Sequence, residues 1–121
     1  MLPRNARLTS PSDFTRTTKS GIRVTTHNFV GYLHVNAGEN SQPRAGLIVG
    51  KSVGGSVHRH RLSRQIRHSI APLMDELPQG SLLVIRALKD NKNVTAEITE
   101  LITQLIIRSQ KFSTLSKAST L

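Results

Sequence analysis

The chain contains no cysteine, which excludes a disulfide framework, a cysteine-based zinc site and a thiol nucleophile. That fits a reducing cytosol, and a cytoplasmic location is expected. Only four aromatic residues are present, Phe14, Phe29, Tyr32 and Phe112. Acids are scarce too, 7 Asp and Glu against 17 Lys and Arg, for a formal net charge of +10. In the basic part of the chain the only carboxylates are Asp13 and Glu39, too few to build a two-metal nuclease centre there. Long apolar runs are missing as well. A stretch such as Leu82 to Ile85 falls far short of the ~20 residues that span a bilayer. Met1 to Asn5 lacks the apolar segment of a signal peptide. A soluble protein is the expectation.

What is present is positive charge, unevenly placed. Residues 1–68 hold 11 Lys and Arg against 2 acids, while residues 69–121 hold 6 against 5. All five histidines lie in the first part. An excess of one sign confined to one stretch opposes compaction, so a polyanionic partner is expected: RNA, DNA or an anionic membrane. At 121 residues the chain suits one domain, taken as 1–108, with a Ser/Thr/Lys-rich tail at 109–121 expected to be disordered.

Ser10-Pro11-Ser12-Asp13 reads as a helix start, with Ser10 able to accept from a free N–H and Pro11 suited to the first turn. The helix should run to about Lys19 and stop at Gly21. Ile22, Val24 and Thr26 alternate with polar residues, and Phe29 to Val35 is a second β-rich run. With the polar turn Asn36 to Pro43 these features suggest an antiparallel hairpin. Ala45 to Val49 is a third strand. Gly54-Gly55 bends into a helix from about Ser56, whose apolar stripe is Leu62, Ile66, Ile70 and Leu73. Pro72 should kink or end it near Ile70. Leu82 to Arg86 is a fourth strand, and Ile98, Leu101, Ile102, Leu105 and Ile106 mark a last helix. The expected fold is α+β, a single mixed sheet of about four strands packed by three helices in the order α-β-β-β-α-β-α.

Between Arg44 and Arg67 stand six Lys and Arg and no acid: Arg44, Lys51, Arg59, Arg61, Arg64 and Arg67. On a helix, Arg61, Arg64 and His68 fall within about 40° of one direction, opposite the apolar stripe, with Arg67 at the flank. Guanidinium matches phosphate geometry and stays charged, so this is a phosphate-reading face. Arg59 falls on the apolar side: either the helix starts irregularly or Arg59 reaches into a cleft. His58 and His60 point about 200° apart and cannot chelate a metal together. Gly50-Lys51-Ser52 invites a P-loop reading, but the leading glycine that motif needs would be Ala45.

The run Gly50 to Arg67, with Lys51, Gly54 and the Arg59-His60-Arg61 core followed by Arg64 and Arg67, resembles the signature of the bacterial ribonuclease P protein family. Arg7-Leu8, Asp13-Phe14, Gly21, Tyr32 and the strand ending at Arg86 sit where that family has similar residues. Ser52, His60 and Ser63 stand where the family has Lys, Asn and Lys, and Thr18 where an aromatic is frequent. The resemblance implies an endoribonuclease that, as a holoenzyme, removes the 5′ leader from precursor tRNA. In it the RNA subunit performs the catalysis with Mg2+ ions that it holds itself, so no catalytic or metal-binding residue is expected in the protein. It also implies a left-handed βαβ crossover. Lys51, Arg59, His60, Arg61, Arg64 and Arg67 would face the RNA subunit, and Phe14 and Tyr32 a cleft for the single-stranded leader. Neither DNA nor a membrane is then a partner. From the residues alone, Phe14 reads more readily as core and Tyr32 as either core or cleft, and a non-catalytic binder of structured RNA would use the same arginine helix.

Overall fold

The computed structural model describes residues 7–35, 42–89 and 93–119, with side chains to residue 110. The order is α1 (Pro11–Ser20), β1 (Ile22–Thr25), β2 (Phe29–Val35), β3 (Arg44–Val49), α2 (Ser56–Ile70), β4 (Ser81–Ala87) and α3 (Val94–Ser119). One four-stranded sheet runs β1-β2-β4-β3. Strands β1, β2 and β4 pair antiparallel, while β3 lies parallel to β4 and reaches it through α2. Parallel neighbours require such a crossover connection. The expected fold class is the one observed.

The hairpin is β1–β2, turning at Thr26 to Asn28. The segment after β2 is no hairpin turn, because β4 lies between β2 and β3. Residues 36–41 of the expected polar turn lie outside the described residues, as do the side chains of most of the expected tail.

Each face of the sheet buries one set of alternating strand residues. On one face Phe29, Leu33, Leu83 and Ile85 meet Leu62, Ile66 and Ile70 of α2 and Ile98, Leu101, Ile102 and Leu105 of α3. Nearly all are fully enclosed, each contributing about 2 kcal/mol by removal from water. On the other face Leu8, Val30, Tyr32, Leu82 and Val84 form a smaller cluster beneath α1. Strands β2 and β4 are therefore covered on both sides, which is why Leu82 to Ile85 reads as a continuous apolar run rather than an alternation.

The helix ends follow local chemistry, with one exception. Helix α2 stops at Ile70 and a 3₁₀ turn carries Pro72, as its missing N–H and ring demand. Ser10 does not cap α1 with its side chain; its hydroxyl is engaged by Ser12 Oγ at 2.9 Å. Pro11 and Asp13 in the first turn start the helix without it. Gly21 ends α1 in extended backbone (φ −79°), so handedness is not why glycine stands there. A Cβ at that position would lie 2.5 Å from the Thr17 carbonyl oxygen and 3.0 Å from that of Leu33. Helix and sheet touch backbone to backbone at this point. Among the described residues no helix is long and apolar enough to cross a membrane.

Candidate nucleic-acid interfaces

The first surface is the outer side of α2. Gly54 introduces it at φ +146°, a conformation open to glycine alone among common residues. A 3₁₀ turn at Lys51–Val53 precedes it and leaves Lys51 exposed. The first turn of α2 holds no acid, and Gly55 gives it no capping side chain, so the positive helix end faces outward uncompensated. His60, Arg61, Arg64 and His68 are exposed and Arg67 is half-buried. None of these arginines meets an acid among the described residues. The arginine forks are thus free to take phosphate.

The irregular helix start read for Arg59 is not what the structure has. Helix α2 is regular from Ser56, and Arg59 points to the packed side, where it is half-buried and its Nε is enclosed without a hydrogen-bond partner. Lys51, His60, Arg61 and Arg64 are exposed, while Arg59 is half-buried.

The second surface is the opposite face of the sheet. Pairing places Arg23, Tyr32, Val84 and Gly46 in one row across the four strands. Thr25, Val30, Arg86 and Ile48 make the next row, and His34, Leu82 and Arg44 the row on the other side. Arg23, Arg44 and Arg86 are exposed and His34 is half-buried. Helix α1 crosses part of this face with Phe14 laid over Gly46, where any Cβ would collide with the ring. Phe14 and Tyr32 therefore share one cluster. Tyr32 is 9% exposed and belongs chiefly to the core, whereas Phe14 is half-buried at its margin. Thr18, one turn on, is tied by its hydroxyl to the Phe14 carbonyl at 3.0 Å. On the outer side of α1, Arg16 is paired with Asp13 at 2.7 Å.

The arrangement is an arginine-edged trough: helix α1 is one wall, Phe14 and Ile48 offer partly exposed apolar surface over the buried Val30, Tyr32, Leu82 and Val84, and Arg23, Arg44 and Arg86 are exposed on three different strands. It can hold an extended polyanion by its charges and accept flat or apolar groups against Phe14 and Ile48. Sequence reasoning did not assemble Arg23, Arg44 and Arg86 as a set. The signal available was that each occupies a strand position flanked by residues of the opposite burial. That they share a row system depends on strand order and register. Among the described residues no cluster of three or more His, Asp or Glu could hold a metal ion.

Comparison with known proteins follows the same lines. A family model described as Ribonuclease P matches residues 2–110. The ribonuclease P protein component of Mycobacterium sp. (strain KMS) is 43% identical over 96 residues, covering 79% of this chain and 81% of the relative. That of Acidothermus cellulolyticus is 39% identical over 88 residues, covering 73% of each. The solved RNase P protein from Staphylococcus aureus superposes with a TM-score of 0.62 at 25% identity, over 88% of this chain and 90% of the other. The Thermotoga maritima RNase P protein gives a TM-score of 0.61 at 23% identity, over 83% and 94%.

Proposed function

Because the chain belongs to the ribonuclease P protein family, we propose that it works as a two-sided RNA adaptor, holding the RNA subunit along α2 and the precursor tRNA leader across the opposite face of the sheet. The chain is the protein subunit of the ribonuclease P ribonucleoprotein, an endoribonuclease as a holoenzyme, and it associates with ribonuclease P RNA. The finer assignment of surfaces rests on one observation. Two exposed arginine sets, Arg61 with Arg64 and Arg23 with Arg44 and Arg86, lie on opposite sides of a single sheet.

Lys51, Arg61, Arg64 and Arg67, with His60 alongside, neutralise phosphates of the RNA subunit, and Arg59 reaches the same RNA with the outer nitrogens of its fork. Arginine is the residue for this task, since its fork pairs with two phosphate oxygens at once and never loses its charge. In the trough the leader lies extended, its phosphates beside Arg23 and Arg86 and its bases against Phe14 and the margin of Tyr32. Such contacts tolerate any sequence, because every base has a flat face and every nucleotide a phosphate. The protein supplies positioning and charge neutralisation; Mg2+ and the hydrolytic step belong to the RNA subunit.

Reconstitution tests this. The protein is mixed with a bacterial ribonuclease P RNA and a precursor tRNA, and cleavage is followed at low magnesium. Stimulation over RNA alone is expected, and it should shrink when the leader is cut to one nucleotide. Absence of stimulation overturns the adaptor reading.

A further inference from the structure

Val57 is 84% exposed on the first turn of α2, far more than any other large apolar residue exposed on the described surface. At 100° per residue, Arg61, Arg64 and His68 all fall within about 40° of Val57. The valine thus stands in line with the arginines, at the end of the face nearest Lys51. Nothing shields it from the chain before it, since Gly54 and Gly55 carry no side chains. The fold has no use for it there. It packs in neither apolar cluster, and a β-branched residue is a poorer helix former than alanine.

We propose that Val57 is a binding residue for the RNA subunit, its isopropyl group seated on a ribose or base edge between phosphates held by neighbouring cations. The occupant is RNA rather than protein because Lys51, Arg61 and Arg64 surround the site with positive charge and no acid of the described residues stands among them. A single isopropyl group contributes contact area and no charge. Its share of the affinity is therefore independent of salt, unlike that of the arginines. This inference rests on the assignment of α2 to the RNA subunit.

The test is equilibrium binding of the full-length protein to a bacterial ribonuclease P RNA across a salt series, for wild type, Val57→Ala, Val57→Thr and Arg61→Ala. Val57→Ala should bind about tenfold more weakly at every salt concentration, from the two methyl groups lost, with the log–log salt slope unchanged. Val57→Thr, which keeps the shape and exchanges one methyl for a hydroxyl, should also bind more weakly with the same slope. Both proteins should fold; the alanine variant should melt at or above the wild-type temperature, so misfolding cannot mimic the effect. Affinity of Val57→Ala within about twofold of wild type, or a changed slope, overturns the proposal. Arg61→Ala separates the two levels. If it weakens binding and flattens the slope while Val57→Ala does nothing, only the valine contact fails. If neither substitution matters, the assignment of α2 fails with it.

Discussion

Replacing Gly21 with alanine should loosen α1 from the sheet. The backbone at Gly21 is already extended (φ −79°, ψ 165°), so alanine adopts it without conformational strain. On that ground alone the substitution should stabilise the fold by roughly 0.4–1 kcal/mol, because the unfolded chain loses freedom. The packing term acts the other way. The new Cβ falls 2.5 Å from the Thr17 carbonyl oxygen and 3.0 Å from the Leu33 carbonyl oxygen. Both are backbone atoms, and Thr17 is itself completely buried with its hydroxyl bonded to the Asp13 carbonyl. Neither can swing aside as a side chain would, so α1 and β2 must separate by about half an ångström. Overpacking of this kind costs about 1–3 kcal/mol, and the clash wins by about 1–2 kcal/mol. Thermal denaturation should show Tm lower by roughly 4–8 °C for a domain of this size. Leader binding should weaken, since α1 is the wall of the trough, while affinity for the RNA subunit through α2 should hold. A Tm at or above wild type refutes the backbone contact. Gly50→Ala is the matched control: φ is −93°, a Cβ there meets nothing within 4 Å, and Tm should stay level or rise slightly.

The trough makes a quantitative claim about salt. The two arginines beside the leader phosphates, at about −0.7 each, predict a log–log slope near −1.4 for leader binding, and Arg86→Ala should reduce its magnitude by about 0.7; an unchanged slope removes Arg86 from the contact. Arg59→Met replaces an enclosed, unpaired Nε with apolar atoms, so urea denaturation should show stability unchanged or higher by ~1 kcal/mol, with weaker binding to ribonuclease P RNA. A large loss of stability would mean that the guanidinium is structural. Glu97 accepts from Thr26 Oγ1, from the Asn28 backbone N–H at 2.7 Å and from Asn28 Nδ2 at 2.8 Å. Glu97→Gln can retain at most part of that set, and should cost about 1–3 kcal/mol in the same assay; a neutral result would show that the turn holds itself.

The elements were readable because each rests on local chemistry. The spacing of Leu62, Ile66 and Ile70 makes α2, and the ring of Pro72 ends it. Arg59 could be seen to fall on the apolar side from helical period alone, although not where its nitrogens go. Other features depended on partners distant in sequence. The carboxylate of Glu97 holds a turn about 70 residues earlier, and no local pattern at Thr26 or Asn28 announces it. Ser10 had the right chemistry for a cap, but its hydroxyl found Ser12 instead. The arginine trough was hidden for a topological reason. Arg23, Arg44 and Arg86 come to share one face only through the order β1-β2-β4-β3 and its register, and strand order is not a property of any one strand.

That order also bears on how the chain comes to be folded. β4 is the last strand in sequence, yet it lies inside the sheet, zipped to β2 along one edge and to β3 along the other. A nascent chain that has released only its first 80 residues holds two sheet fragments with no contact to each other, a β1–β2 hairpin and a lone β3. All the exposed α2 arginines are already made at that stage, on a helix whose apolar stripe has no completed floor to rest on. Closure waits for Ser81 to Ala87, which joins the two fragments across a long stretch of sequence, and for α3, which covers the sheet beside α2. The polycation thus exists before the domain does. An RNA that reaches the emerging chain early meets a charged and incomplete ligand, and synthesis of β4 and α3 is what turns it into a shaped one.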